Sequence, residues 1–427
     1  MKIMSKIKYA IHKTGKILMT HRLRIVLISL IAGLVIVFVI YHHKSANSMT
    51  LKVRFQSELE TLHDQYKFPG ATAAYILPDG TVEVVATGLD DVESKIQMIP
   101  QSRMLAASIG KTFVGATVVA LAQEGVLNLD DPISKWLGNR PWFSRLPNHN
   151  IITLHQLLTH SSGIANHVDM ESFIHAFRES WHTRTNPFPP EVLISFVLDQ
   201  PSLFKAGEGW HYSDTGYILV GLIIEAVTGH SYYKEVTRQF LEPLHLTLTT
   251  PSDHLELPGL AAGYMSPNNA FDLPQKTTLH PGIMAWHPGL EWTGGGLVSN
   301  PKDLVVWAKA LYEGHAIKGN YLETLLKSVQ ISDDDPDTGY GIAVAIHENG
   351  PFGTTYGHSG WIPGYCSNLR YYPKYGVAIA FQINTDIGIV DGSTQLFKDM
   401  ENRLAKVVIE KKYKNNKTII IKNWRKK

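Results

Sequence analysis

A long apolar stretch, residues 106–125 (AASIGKTFVGATVVALAQEG), most constrains how this chain folds. Its valines, leucine and alanines recur at helical spacing, and Gly125 follows the last of them, so the pattern predicts a buried helix that ends there. Ser108 and Lys111 lie at its start, three residues apart and therefore on one face. Because desolvation lowers the pKa of an amine, we expect a partly neutral Lys111 that takes the proton of Ser108 and makes it a nucleophile.

The Ser-x-x-Lys spacing is weakly informative by itself. The chain contains it five times, beginning at Ser5, Ser108, Ser202, Ser231 and Ser299. Coincidence accounts for most such copies at ordinary residue frequencies. The copy at Ser108 is distinguished by its setting on the apolar stretch and by two further motifs downstream.

The composition of the chain limits the number of domains, and its charge distribution limits the kinds of partner it can bind. The chain has 427 residues, of which 44% are hydrophobic, so it can form one large domain with an inserted subdomain, or two domains. Residues 1–24 carry seven Lys and Arg and no acid, residues 406–427 carry a net charge of +8, and residues 25–405 are left at −13. An acidic body argues against nucleic-acid binding, whereas basic ends suit contact with anionic lipid.

Neither a disulfide nor a metal site is predicted. Cys366 is the single cysteine, and we interpret it as a small core residue. The 20 histidines include no His/Cys cluster at metal-ligand spacing, so we expect no metal and no cofactor.

The N-terminal region is typical of a membrane anchor. Residues 25–41 (IVLISLIAGLVIVFVIY) form an uncharged apolar run of 17 residues, about 25 Å long as a helix and just able to cross a bilayer. The basic segment 1–24 is then cytoplasmic, and a polar linker at 42–49 leads to an exported body. A cleaved signal peptide is the alternative, but the run is slightly long for one and no small-x-small cleavage site follows it. We expect a single-pass protein of the cell (inner) membrane whose body lies on the periplasmic or extracytoplasmic side.

The β-rich runs lie near both ends of the body. Runs at 71–77 and 81–88 are joined by Pro-Asp-Gly, which is a hairpin signal, and runs at 366–372 and 377–383 are joined by a second turn. The sequence therefore predicts one domain over about residues 50–405, with an antiparallel sheet built from both ends. The middle, about residues 130–300, is richer in helix and loop and is predicted to be an insertion, and residues 406–427 form a basic tail.

Two further motifs bear chemically useful side chains. Tyr212, Ser213 and Asp214 lie on a tight turn before an apolar helix that Gly229 ends. Loops held by a rigid scaffold are where catalytic groups usually lie. His358, Ser359 and Gly360 precede an apolar strand region, where a glycine suits close approach of a substrate backbone.

Three other features have ordinary explanations that we favour. His160 in LLTHSSGI is interpreted as a hydrogen-bonding structural histidine at a helix end. The triple glycine at 294–296 is interpreted as a turn or a close backbone contact, because it lacks the Lys-Ser/Thr of a phosphate loop. The acidic run 333–337 is interpreted as a solvated loop, because it lacks the Gly and Glu of a calcium loop.

The three motifs, taken in order, resemble the serine β-lactamase and penicillin-binding-protein family. The similarity is to the branch that contains class C β-lactamases and D-alanyl-D-alanine carboxypeptidases, and it runs from about residue 68 to residue 384. Longer segments that resemble this branch are 124–137, 157–164, 216–229, 294–311 and 356–365. The resemblance implies an α/β (α+β) fold, with an antiparallel sheet flanked by helices, an inserted mostly helical domain, and a site in the cleft between them.

The resemblance also implies roles for individual residues. Ser108 is the nucleophile that forms an acyl-enzyme, Lys111 activates it, and Tyr212 passes the proton to the leaving group. Which of Lys111 and Tyr212 takes the first proton is left open.

Substrate binding is implied for the third motif and its surroundings. His358 stands where many relatives have lysine and would help to hold a substrate carboxylate beside Ser359 and Gly360. The backbone N–H groups of Ser108 and Trp361 would form the oxyanion hole.

Asp214 is a departure from the family, whose members usually carry asparagine at this position. An ionised aspartate cannot donate a hydrogen bond to a substrate carbonyl, and it would hold Lys111 charged if the two lie close. Recognition of a peptide-like amide is therefore less favoured than in relatives, and an ester becomes more credible.

We expect an exported, membrane-anchored serine hydrolase that acts by acyl transfer on a small-molecule or peptide substrate. D-alanyl peptidase or carboxypeptidase action on cell-wall peptides ranks first, esterase second and β-lactamase third. The alternative is a catalytically idle relative that binds wall peptides or serves as a scaffold.

Overall fold

The computed structural model describes residues 50–186 and 188–424. The predicted segments 1–24, 25–41 and 42–49 lie outside the described residues. Among the helices that are described, none combines the length and the apolar composition needed to cross a membrane. Residues 50–54 belong to a separate unit, and the compact unit that begins at Phe55 contains the site.

The strands are short except in the main sheet. They are β1 (Gly70–Ile76), β2 (Val82–Asp91), β3 (Ile96–Gln97), β4 (Met104–Leu105), β5 (Thr250–Pro251), β6 (Thr278–His280), β7 (Ile283–Met284), β8 (Leu297–Ser299), β9 (Val329–Gln330), β10 (Thr338–Tyr340), β11 (Ala345–His347), β12 (Thr355–Ile362), β13 (Tyr365–Tyr372) and β14 (Val377–Ile383).

The α-helices span most of the chain between and after these strands. They are α1 (Leu51–Tyr66), α2 (Lys111–Gln123), α3 (Ser134–Leu137), α4 (Leu154–Leu158), α5 (Glu171–Ser180), α6 (Pro190–Ser195), α7 (Asp214–Thr228), α8 (Tyr232–Val236), α9 (Pro301–Tyr312), α10 (Leu322–Leu326) and α11 (Leu396–Trp424).

Nine strands form one antiparallel sheet in the order β3-β2-β1-β14-β13-β12-β11-β10-β9. Its centre joins the two ends of the body, because β1 pairs with β14 from Ala71 opposite Ile383 to Ile76 opposite Ala378. Strands β1, β13 and β14 are buried along their whole length, since helices cover both faces. The predicted antiparallel sheet with flanking helices is confirmed, and Cys366 is buried in β13 as a free thiol.

Helices α1 and α11 cover one face of this sheet, and α9 with the segment before α2 covers the other. On the first face, Phe55 of α1 packs edge-on against Tyr75 with ring centroids 4.9 Å apart. On the second face, the Ser367 hydroxyl of β13 donates to the Ala106 carbonyl oxygen over 2.7 Å. This contact places the nucleophile segment directly on the sheet.

The middle of the chain is helical only in part. Helices α3 to α8 lie within residues 134–236, whereas residues 250–299 form loops and short strands. Strand β8 pairs with β4 and β5 in a three-stranded sheet, and β6 pairs with β7. The sequence does not predict these strands because two or three residues are too few to show alternation.

The predicted helix over residues 106–125 begins differently from expectation. Ala107–Gly110 is a 3₁₀ turn, and α2 starts only at Lys111. Because residues at i and i+3 eclipse in a 3₁₀ turn, Ser108 and Lys111 still lie together. Ala107 has φ 50°, in the left-handed region that costs a non-glycine residue energy. Ser108 therefore follows a strained backbone position.

The turn is buried by close packing on both sides. Residues 111–121 of α2 are all buried, and Phe113 stacks on Trp307 of α9 with centroids 4.1 Å apart. Gly110 packs against Gly295 so closely that a Cβ on Gly110 would lie 2.4 Å from the Gly295 carbonyl oxygen. This contact agrees with the interpretation of the triple glycine as a close backbone approach.

Candidate active site

Lys111 lies at the centre of the site and donates three hydrogen bonds. Its Nζ donates to Ser108 Oγ at 3.1 Å, to Asp214 Oδ1 at 2.5 Å and to the Gly294 carbonyl oxygen. An ammonium group has three N–H bonds, so all of them are used. The Lys111 side chain is 0% exposed and that of Asp214 is 21% exposed. The lysine is therefore held as a cation between three segments of the chain.

The pKa of Lys111 lies above its ordinary value. Burial lowers this pKa, but the charge of the Asp214 carboxylate and its hydrogen bond oppose that effect, and on balance the pKa is raised. Asp214 is the first residue of α7, where the helix N-terminus favours a negative charge. The expectation of a partly neutral Lys111 is wrong for the resting site, because the aspartate lies close enough to hold the lysine charged.

Tyr212 is poised as a neutral phenol. Its hydroxyl is buried and has no hydrogen-bond partner among the described residues, and Lys111 Nζ lies 4.9 Å from the centre of its ring. Burial raises the pKa of Tyr212 to about 12, although the charge of Lys111 opposes the rise. Tyr212 can therefore give a proton at neutral pH, but it is not a base in the resting site.

His160 positions the Tyr212 loop. Its Nδ1 accepts from the Ser213 N–H at 3.1 Å, and its ring centroid lies 4.2 Å from that of Tyr212. Burial, together with the charge of Lys111, lowers the pKa of His160 well below its ordinary value. The interpretation as a structural histidine near a helix end agrees with these contacts.

His358 is buried and uncharged, which corrects the expectation that it holds a substrate carboxylate as a cation. Its Nδ1 lies 2.5 Å from the Ser359 carbonyl oxygen and must donate to it, so Nε2 accepts from the Tyr340 hydroxyl at 2.8 Å. Burial, together with the charge of Lys111, lowers the pKa of His358 to about 3. Both ring nitrogens are occupied, so His358 lines the cleft as a neutral group.

The other residues of the third motif lie beside the nucleophile. A Cβ on Gly360 would lie 2.5 Å from the Ala106 carbonyl oxygen, so only glycine lets β12 run this close to the nucleophile turn. The Ser359 hydroxyl donates to Asn368 Oδ1 at 3.2 Å and accepts from Arg370. Its donor is therefore already used within the protein.

Trp361 lies at an edge that is open to a substrate. Its side chain is 40% exposed, and its Nε1 donates to Asp386 Oδ2 at 3.1 Å. Within the described chain, β11 pairs with β12 only as far as Gly357 and no other strand continues along this edge. The backbone beside Ser108 is therefore accessible, as an oxyanion hole at Ser108 and Trp361 requires.

Two pockets meet at the nucleophile, and Ser108, Val168, Asp214 and Trp361 line both. We call the first the aromatic pocket; its other lining residues are His167, Phe173, Phe177, Phe271, Trp286, Leu290, Glu291, Gly294, Ile362 and Pro363. We call the second the tyrosine pocket; its other lining residues are Asn166, Asp169, Trp210, His211, Tyr212, His358, Ser359, Gly360, Cys366, Ile389, Val390 and Phe397. A substrate bound across Ser108 would therefore place one part in each pocket.

Sequence reasoning missed the aromatic pocket and Glu291. The aromatic residues come from distant loops and from α5, so no local motif joins them. Glu291 Oε2 is buried without a hydrogen-bond partner in the described part of the chain, and burial raises the pKa of Glu291 to about 8. A lone acid between Leu290 and Trp292 was the only signal available. No group of residues suited to a metal ion occurs among the described residues.

The site and fold define a class of protein in which a buried lysine and a tyrosine lie beside a serine that lines the cleft. Comparison with known proteins identifies the family. The Beta-lactamase family model matches residues 55–399, so the chain belongs to this family.

Curated relatives match over different lengths. The chain is 35% identical to Protein flp of Staphylococcus aureus (strain NCTC 8325 / PS 47) over 202 residues, which are 46% of this chain. It spans only 38% of the length of that relative. It is 24% identical to Penicillin-binding protein 4* of Bacillus subtilis (strain 168) over 342 residues, which are 78% of this chain and 71% of that protein.

Solved structures share the fold. A D-stereospecific amidohydrolase from Streptomyces sp. has TM-score 0.66 and 28% identity, covering 78% of this chain and 94% of that chain. A D-amino acid amidase from Ochrobactrum anthropi SV3, complexed with L-phenylalanine amide, has TM-score 0.70 and 22% identity, covering 86% of this chain and 99% of that chain. At 22% identity the second likeness shows the fold alone.

His358 should stay neutral in the pH range near 6.5, in which an ordinary histidine takes up a proton. The unfolded chain takes up a proton near pH 6.5 and the folded chain does not until about pH 3, so stability is lost as the pH falls below 6.5. At pH 5 this proton uptake by the unfolded chain lowers the free energy of unfolding by about 2 kcal/mol relative to its value well above pH 6.5. His358→Gln should therefore show a smaller fall in Tm between pH 7 and pH 5 than the wild type. His254→Gln, an exposed control, should keep the wild-type fall, and a His358 ring signal that titrates near pH 6.5 in NMR spectra would contradict the assignment.

Proposed function

We propose that this chain is a serine hydrolase that forms an acyl-enzyme on Ser108. The observation that carries the proposal is that Lys111 and Tyr212 lie beside Ser108, which lines both pockets. Peptide-like amides, as in D-alanyl peptidase or carboxypeptidase action, rank first as substrates. Esters rank second and β-lactams third.

Relatives support this order. The curated relative from Bacillus subtilis is a penicillin-binding protein, and the Streptomyces structure at 28% identity is a D-stereospecific amidohydrolase. Amide hydrolysis is the activity that the second name states. These names concern those proteins, and they favour amide substrates for this chain over esters.

The chemistry follows from the positions of three groups. Lys111 acts as a base only after it has lost a proton, because all three of its N–H bonds are donated at rest. The neutral amine then takes the proton of Ser108 as Oγ bonds to the substrate carbonyl carbon. The tetrahedral intermediate expels its leaving group, which takes a proton from the Tyr212 hydroxyl, and Tyr212 regains one from Lys111. Water then releases the acyl group by the reverse route.

The idle-scaffold alternative has one observation in its favour. The resting Lys111 is a cation whose three N–H bonds are all donated, so it is not a base until it loses a proton. Covalent labelling separates the two functions, since a scaffold would bind a fluorescent penicillin reversibly.

Ser108→Ala should abolish covalent labelling by a fluorescent penicillin and lower hydrolysis by about three orders of magnitude or more, as when any member of a catalytic unit is lost. Labelling is read on denaturing gels and by intact-protein mass. Ser202→Ala is a matched control, because Ser202 has the same spacing to a lysine but is exposed and lines neither pocket. Labelling that survives in Ser108→Ala would refute the nucleophile.

Asp214→Asn should shift the alkaline onset of activity to lower pH. The Asp214 carboxylate raises the pKa of Lys111, so its removal lowers that pKa and the neutral amine forms at lower pH. The new amide should also bind amide substrates more tightly, by about 1 kcal/mol. Full pH–rate profiles check this, with Asp199→Asn, at an exposed ion pair, as the control. Loss of activity at every pH would mean that the Asp214 carboxylate itself takes part in catalysis.

We also propose that residues 25–41 anchor the chain in the cell membrane with the hydrolase domain on the extracytoplasmic side. The apolar run and the basic residues before it support this orientation. A reporter enzyme fused after Lys427 should be active only outside the cytoplasm, and cytoplasmic activity would refute the orientation.

A further inference from the structure

The two pockets take different parts of the substrate. The leaving group takes its proton from Tyr212, and Tyr212 lines only the tyrosine pocket. The leaving group therefore departs on that side of Ser108. The acyl group, which stays bonded to Ser108, must then lie on the other side, in the aromatic pocket. This step rests on the function proposed above.

The wall of the aromatic pocket suits an apolar side chain. Phe173 and Phe177 of α5 stack at 5.9 Å between ring centroids, and Phe271 and Trp286 pack edge-on against Phe177 at 5.4 and 6.1 Å. Leu290 completes this side of the pocket. Burial of an apolar acyl substituent among these rings is favourable because it removes apolar surface from water.

Glu291 also lines the aromatic pocket, and an acidic side chain is not expected in an otherwise apolar wall. If Gly294 carried a Cβ, Glu291 Cγ would lie 3.8 Å from it and Asp214 Oδ1 3.6 Å from it, so the two carboxyl groups flank one point of the pocket. Asp214 is paired with Lys111, whereas Glu291 Oε2 is buried with no partner in the described chain. A buried carboxyl group without a partner is costly, so its retention beside the nucleophile calls for a ligand.

The charges around Glu291 decide which ligand fits. Lys111 and Asp214 neutralise each other, and the Tyr233 hydroxyl, which faces Glu291 from α8, is a neutral phenol. An ionised Glu291 therefore leaves one negative charge without compensation. A cation that enters the pocket would pair with this charge, whereas an anion would be repelled by it.

We propose that the aromatic pocket selects an acyl group that carries both an apolar side chain and a protonated amine, and that Glu291 is the group that binds this amine. The substrate class is an amide or ester of an amino acid whose α-amino group is free. When the ammonium group binds, Glu291 releases its proton to solvent. The ammonium group then supplies the hydrogen-bond partner that Glu291 Oε2 lacks in the described chain. If the α-amino group of the substrate is itself acylated, as in an N-acetyl derivative, it carries no positive charge and the contact with Glu291 is lost.

The test compares substrates that differ only at the amine. Both enantiomers of phenylalanine p-nitroanilide are assayed beside their N-acetyl derivatives at pH 7. The wild type should show kcat/KM about tenfold or more higher for one free-amine enantiomer than for its N-acetyl form. Glu291→Gln should bring that ratio close to one by slowing the free-amine substrate alone. Glu171→Gln, which removes an exposed acid from the helix that carries Phe173, should leave the ratio unchanged.

A binding measurement separates this inference from the proposed function. In the Ser108→Ala background, calorimetry should show tighter binding of phenylalaninamide than of N-acetylphenylalaninamide, and Glu291→Gln should remove the difference. Equal binding of the two amides, or a preference that survives Glu291→Gln, overturns the role of Glu291. Labelling of Ser108 by a penicillin would still support the proposed hydrolase in that case. Absence of any labelling or turnover in the wild type overturns both.

Discussion

The ion pair between Lys111 and Asp214 is the interaction on which the rest of the site depends. It joins the nucleophile turn to the start of α7, and the third donor of Lys111 fixes the Gly294 loop. Removal of one partner from a buried pair costs about 3–5 kcal/mol, because the other charge is left buried. The pair therefore holds three distant segments together and keeps Lys111 charged at the same time.

Burial, together with the charge of Lys111, sets the protonation of the groups around this lysine. His160 and His358 stay neutral because burial and then the charge of Lys111 lower their pKa values. Tyr212 keeps its proton because burial outweighs the nearby lysine. Among the carboxyl groups that line the two pockets, only that of Glu291 has a buried oxygen without a hydrogen-bond partner in the described chain, and this asymmetry gives the two pockets different chemistry.

Sequence patterns predicted what is encoded locally. The hairpins at both ends, the buried helix after Ser108 and the order of the three motifs are read from neighbouring residues, and the sheet joins them as expected. The charge states of Lys111 and His358 were predicted wrongly because they depend on burial and on charged partners more than 100 residues away in the chain. The aromatic pocket was missed for the same reason, since its walls come together only in the folded chain.

The most direct test of the account is the protonation state of Lys111 itself. Protein labelled with ¹⁵N-lysine gives a signal for the Lys111 Nζ that can be followed with pH and assigned with a Lys111→Arg variant. We predict an ammonium signal that persists beyond pH 10.5, the ordinary pKa of lysine. A Lys111 amine that is already neutral at pH 8 in the wild type would contradict it.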